Sequence, residues 1–369
     1  MDDQANTEVS SQSTKDWLGA IWRVIAVPLA AVLLAIVIGG ILLAVSGANP
    51  LKAYGALIEG SFGSMKAFGR TLAKATPLIF SGLAVAFAFK AGLFNIGAQG
   101  QLLFGALVSA TVGFMVEGLP PILHASLALF AGAAAGGLFA AIPGALKAYT
   151  GAHEVITTIM LNYVAINITD YFADGPLKDT GIVARTPEIL DSARIPTIGE
   201  IPVGFFLAIL AAVIIWWLLW HTTIGFEIRT VGLSPHAAKY AGMRVAFTVI
   251  LTMVISGLLA GVGGAIETQG IVGRYQPGFN TGLGFDGITI ALLGKTHPFG
   301  IIPAALLIGA MKAGASTMQF NAGVAKEITD VIQALMLFFV TADMIVRKII
   351  RVRADESGEK VTLSGWGQQ

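Results

Sequence analysis

Residues 24–45 read VIAVPLAAVLLAIVIGGILLAV, 22 consecutive positions without a charged side chain. As a helix this run is about 33 Å long, enough to cross the hydrocarbon of a bilayer. A secretory signal peptide has a shorter apolar stretch closed by a small-residue cleavage site, so the run reads as an uncleaved first span. Pro28 lies near its start, where proline is tolerated. The polar segment before it, 1–16 (MDDQANTEVSSQSTKD), predicts a disordered cytoplasmic tail. Nine further apolar runs follow, near 77–90, 93–116, 122–146, 153–172, 202–221, 246–266, 284–294, 298–316 and 328–346. The expectation is an all-α polytopic membrane protein with about ten transmembrane helices filling 17–346, then a cytoplasmic C-terminal tail, 347–369.

Composition agrees. Of 369 residues, 55% are apolar and only 12% charged, about half the charge of an average soluble domain. Mean hydropathy is +0.76. A net charge of +1 suggests no nucleic-acid partner. The absence of cysteine removes disulfides, thiol nucleophiles and Cys-ligated zinc together. His124, His221 and His297 show no metal-ligand spacing.

Between the first two runs, 49–75 is amphipathic, with Lys52, Lys66, Arg70 and Lys74, and reads as a helix along the interface. Two runs, 77–90 and 284–294, are too short to cross alone, and each is followed by a polar, glycine-rich break. Arg347, Lys348, Arg351 and Arg353 flank the last run, which places both termini in the cytoplasm. With ten spans, the loop 173–201 then lies outside, irregular and plug-like around Pro176, Pro187 and Pro196, and the loop 222–245 lies inside.

The inside loop is the most informative segment. Gly232-Leu233-Ser234-Pro235 is a turn into a helix, with Ser234 as cap and Pro235 at the first helical position. His236-Ala237-Ala238-Lys239-Tyr240-Ala241 forms the helix, and Gly242 stops it. A solvated connector would favour charged residues; alanines here suggest a knob that fits a partner's groove.

The pattern Gly-Leu-Ser-Pro-x-Ala-Ala-x-Tyr-x-Gly-Met resembles the coupling-helix loop of ABC-transporter permease subunits in the branch that imports simple sugars and nucleosides. Residues 91–101 (AGLFNIGAQGQ), 154–163 (EVITTIMLNY), 284–288 (GFDGI) and 293–298 (LGKTHP) agree, and are most like the nucleoside-uptake members. The resemblance covers about residues 50–346. It implies two ATP-binding subunits docked at Gly232, Ser234, Pro235, Ala237, Ala238, Lys239, Tyr240 and Gly242. It also implies a second permease subunit (a copy or a different chain), an extracytoplasmic binding protein, a bacterial cell membrane and transport by alternating access. No cofactor is expected on this chain, since the partners use the ATP.

Glycine-interrupted short segments at matching places in two halves point to a transporter's substrate site. Residues 93–101 and 284–288 fit that description, so two five-helix halves related by inversion, with broken helices at the site, are expected. Phe94 offers a stacking face, and Asn95, Gln99 and Gln101 offer amides for ribose hydroxyls or base edges; the same amides could instead satisfy frayed helix ends. Asp286 is a carboxylate near membrane depth, suited to a ligand hydroxyl or a helix cap. Asn162 lies mid-span on the face of Glu154, suited to the pathway or to an interhelical hydrogen bond. Glu267 and Gln269 close the seventh run.

Gly294-Lys295-Thr296 is no phosphate loop, because the required first glycine is Thr289. No catalytic cluster stands at one depth, so the chain reads as a transport component without catalysis of its own. The rival is an ion-coupled secondary transporter of a small polar solute, which would need Asp170 or Asp286 as its coupling site. Gly132/Gly136 and Gly257/Gly261 have the spacing of close helix contacts.

Overall fold

The computed structural model describes residues 26–278 and 282–342. The expected tails, 1–16 and 347–369, and the basic flank of the last run lie outside the described residues. The chain is a helical bundle: α1 (Ala26–Val45), α2 (Pro50–Phe62), α3 (Met65–Lys90), α4 (Ala98–Met115), α5 (Pro121–Thr150) and α6 (Glu154–Asp174) come first. A 3₁₀ turn (Asp191–Ala193) and a two-residue hairpin, β1 (Thr197–Ile198) with β2 (Ile201–Pro202), precede α7 (Val203–His221). Then follow α8 (Thr223–Leu233), α9 (Pro235–Tyr240), α10 (Val245–Glu267) with a terminal π-turn (Thr268–Val272), α11 (Leu283–Leu293), α12 (Pro298–Ala322) and α13 (Ile328–Thr341).

Seven of these, α1, α3, α4, α5, α7, α10 with its π-turn, and α12, are long and apolar enough to cross a membrane. α11 and α13 are shorter apolar helices. α6 has 21 residues but carries Glu154, Asn162, Asn167, Asp170 and Asp174. Each expected run thus has its helix, while the count of spans by length and composition is seven among the described residues. The fold is that of a multi-pass membrane protein.

Two sequence expectations change. The run 77–90 is the second half of α3, a 26-residue helix that passes through Pro77 unbroken and is long enough to span. The helix survives its proline because the neighbours pack tightly there: Gly263 of α10 seats on Pro77 and Phe80, and Gly309 of α12 on Ala75. Correspondingly, 49–75 is two helices, α2 capped by Asn49 and the first turns of α3 capped by Ser64. α2 seats Gly60 against Thr317 of α12 and donates Ser61 Oγ–H to the Ala310 carbonyl at 2.6 Å.

The centre of the bundle is built from α3, α4, α5 and α10. The two glycine pairs face one another: a Cβ on Gly136 would meet Gly257 and Gly261, and one on Gly261 would meet Gly132. Gly105 of α4 lies against Gly261 as well. Backbone meets backbone, as small residues permit in membranes.

Candidate functional site

Two interruptions bring the predicted residues together. α3 ends in a left-handed Gly92 (φ 69), with Gly92 N–H bonded to Phe89 O and Leu93 N–H to Ala88 O, a Schellman stop. The chain stays non-helical to Gly97 and then starts α4 inside the bundle. A helix start leaves orphan N–H groups. Here Asn162 of α6 supplies the partner: its Oδ1 accepts from Gly100 N–H at 2.8 Å, and its Nδ2 donates to Ile96 O at 2.9 Å. Asn95 Nδ2 donates to Gln101 Oε1 and to Ser256 Oγ, both at 2.8 Å, and Gln101 Nε2 returns a bond to Asn95 Oδ1 at 3.0 Å. Ser256 Oγ–H in turn donates to the Ala84 carbonyl of α3 at 2.6 Å.

The second interruption, after the π-turn, ends at Gly282 (φ 96), where α11 begins. Gln99 Oε1 accepts from Gly284 N–H at 2.7 Å, and a Cβ on Gly284 would strike Gln99. The segments 93–101 and 284–288 therefore touch. GFDGI itself is helical, and the break lies before it. All four amides, on Asn95, Gln99, Gln101 and Asn162, are buried and bonded within the protein. Phe94 is half-buried and packs on Phe89, centroids 4.7 Å apart.

Asp286 is buried, with Lys312 Nζ of α12 at 3.0 Å from Oδ2 and Gln333 Nε2 of α13 donating to Oδ1. Lys312 also lies 3.9 Å from Asp330. Lys147 and Glu154 form a second buried pair at 2.8 Å across the α5–α6 turn. Glu267 pairs with Lys74 at 3.5 Å, and Gln269 Nε2 donates to Ala125 O and Ala193 O. Sequence reasoning missed Lys312, Gln333, Lys147 and Ser256. Each is a lone polar residue in an apolar run, a signal that marks burial but names no partner. Among the described residues no cluster suits a metal ion.

At one end of the bundle, α8 and α9 project. Thr222 caps α8, and Ser234 Oγ accepts from Ala237 N–H at 3.3 Å as the cap of α9. Gly232 seats directly on Lys90 and Ala91, so the α8–α9 corner is fastened to the start of the first interruption. Leu233, His236, Ala237, Lys239, Tyr240 and Gly242 are exposed, Tyr240 by 93%. Ala238 is fully buried and anchors α9 rather than facing outward. Beside the corner, Trp220 lies between Lys90 (5.6 Å to the ring), Arg229 (5.9 Å) and His297 (5.3 Å between rings). His297 lies in the turn between α11 and α12, where partial burial, and then the Lys90 charge, hold its imidazole below the ordinary pKa.

The opposite end carries the 175–202 segment. Tyr275 O–H donates to Thr169 Oγ1 at 2.8 Å, and Thr186 Oγ accepts from Tyr275 N–H at 3.0 Å. Glu188 pairs with Arg194 and, at 2.8 Å, with Arg274. This expected plug is irregular apart from the 3₁₀ turn and hairpin, and is tied down by these contacts.

Residues 67–341 match the family of branched-chain amino acid transport system permease components. The chain belongs to that family. The guanosine ABC transporter permease protein NupP of Bacillus subtilis is 43% identical over 334 residues, 88% of this chain and 95% of that protein. The nucleoside ABC transporter permease protein NupB of Lactococcus lactis is 34% identical over 92% of this chain and 97% of its own length. The glucose ABC transporter permease protein TsgB13 of Haloferax volcanii is 32% identical, covering 94% and 95%. The permease is thus the membrane-spanning translocation subunit of an ABC importer. It is a transport component without catalysis of its own, working with ATP-binding subunits and a substrate-binding protein.

Proposed function

We propose that the permease carries a nucleoside across a bacterial cell membrane by alternating access, within an importer containing two ATP-binding subunits and a second permease subunit. The observation that carries the cargo is the 43% identity to a guanosine permease over nearly the full length, against 32% to a glucose permease. The ten apolar helices cross or enter the membrane with both termini cytoplasmic. The paired interruptions support two halves related by inversion.

The α8–α9 corner (222–245) faces the cytoplasm and docks an ATP-binding subunit through Leu233, Ala237, Lys239 and Tyr240, while Gly232, Ser234, Pro235, Ala238 and Gly242 shape and anchor it. Its seat on Lys90–Ala91 passes the motion to the Phe94–Gln101 interruption and, through Gln99, to α11 and Asp286. These residues flank the pathway, with Asn95, Gln99, Gln101 and Asn162 as its framework. The 173–201 loop receives cargo outside. Of the two carboxylates the ion-coupled alternative needs, Asp170 and Asp286, the second is paired with Lys312.

Reconstituted with its partner subunits, the transporter is expected to accumulate labelled guanosine only with ATP. Accumulation driven by an ion gradient with this chain alone contradicts the mechanism, and uptake of glucose in its place moves the cargo. Ala237→Asp with Tyr240→Asp should release the ATP-binding subunits while the permease still inserts. Normal transport by that variant would rule out docking at α9.

A further inference from the structure

The outward face of α6 sets polar groups among its apolar ones. α1 turns out Leu29, Leu33, Val37 and Ile41, α5 turns out Leu127, Phe130, Leu138 and Ile142, and α7 turns out Phe206, Leu210, Val213 and Trp217. These suit lipid. On α6 the exposed face includes Ile156, Val164, Ile168 and Phe172, and beside them a stripe of Met160, Tyr163, Asn167 and Tyr171 at helical spacings of three and four. Tyr163 is 62% and Tyr171 67% exposed, and the half-buried Asp170 adjoins them. Asn167 Nδ2 donates to the Tyr163 carbonyl at 2.7 Å, which fixes the amide in place and turns its acceptor oxygen to other use.

A side-chain amide and a carboxylate at this depth are costly against hydrocarbon and face a watery cavity or another protein. The stripe is also chemically matched to a flat, hydroxylated solute. Tyrosine rings stack on a base, and an amide oxygen and a carboxylate accept from ribose hydroxyls. Tyr163 and Tyr171 stand roughly 12 Å apart along the helix axis at 1.5 Å per residue, a separation that suits a base at one end and a sugar at the other. Directly behind the stripe, Asn162 on the buried face of the same helix holds the first interruption. A ligand on the front is therefore one helix thickness from the coupling path.

We infer that Tyr163, Asn167, Asp170 and Tyr171 of α6 line the translocation cavity and contact the nucleoside in transit. This rests on the nucleoside reading given above.

The chain has no cysteine, so Tyr163→Cys, Asn167→Cys and Leu138→Cys each put a single thiol on this chain, whose labelling is read on its own band from the assembled, reconstituted transporter. A charged, membrane-impermeant thiosulfonate should modify the two α6 positions at least about tenfold faster than position 138, because a thiol in apolar surroundings stays protonated and inert. Guanosine should slow that reaction. In uptake assays Asn167→Leu and Tyr163→Leu should each lower kcat/KM by about tenfold, the loss of roughly one hydrogen bond or stacking contact. Tyr163→Phe should keep it. Slow labelling at both α6 positions, or unchanged kcat/KM in both leucine variants, overturns the assignment. If the unaltered transporter takes up glucose and no guanosine, the nucleoside reading fails by itself, and the labelling rates decide the cavity lining separately.

Discussion

The two interruptions solve one problem with different chemistry. Both must satisfy backbone groups inside a bundle that excludes water. The first, 91–97, is held by neutral amides: Asn162 bridges it, and Asn95 and Gln101 lock to each other and to Ser256. The second, between the π-turn and α11, is flanked by charge, with Arg274 on Glu188 on one side and Asp286 of the first turn of α11 on Lys312 on the other. Neutral fastening resists salt and pH. Charged fastening depends on where the pair lies, since a surface pair is screened and a buried one is not.

That contrast can be broken by substitution. Asn162→Leu should cause the largest loss, orphaning Gly100 N–H and Ile96 C=O at about 1–3 kcal/mol each. Unfolding in detergent would read it, and a loss below about 1 kcal/mol would mean that water or another donor replaces the amide. Next comes Lys312→Met, which strands the Asp286 carboxylate. About 2 kcal/mol is expected, less than for a fully buried pair, because Lys312 keeps 25% of its side chain exposed. Adding Asp286→Asn should recover most of the loss, and a double variant no better than the single would show that the two do not interact. Glu188→Gln at the far end should cost under about 1 kcal/mol, and the difference should vanish at high salt.

The smallest effect is a pH dependence at His297. Its folded pKa is depressed, so the unfolded chain binds the proton first and stability falls as pH drops through the ordinary histidine range near 6.5. His297→Gln should flatten the thermal-stability slope below about pH 6.5 without changing stability at pH 8. A slope unchanged in the variant would place the titrating group elsewhere.

The apolar runs were legible because a bilayer demands about 20 of them at a time whatever the tertiary context. The glycine pairs and the caps at Ser234 and Pro235 were equally readable, being local. The run 77–90 misled by its shortness: whether a helix continues through Pro77 depends on how closely α10 and α12 pack, which sequence does not display. The amides at 95, 99, 101 and 162 stood out as polar residues in apolar company. Their partners did not, because Asn162 and Ile96 are 66 residues apart and Gln99 and Gly284 185. Ala237 and Ala238 look identical in sequence, but the roughly 100° of rotation between neighbours on α9 separates outside from inside. The Tyr163–Asn167–Tyr171 spacing was readable, yet only the fold shows that this stripe faces away from the bundle.

The glycine seam between α5 and α10 has a further consequence. Where two backbones touch with no side chains between them, there are no rotamers to exchange, so the contact has one geometry and no gradual way to yield. Those two helices, with α4 wedged beside them, must travel as a single casting during the transport cycle. Motion is left to the parts jointed by longer, softer side chains.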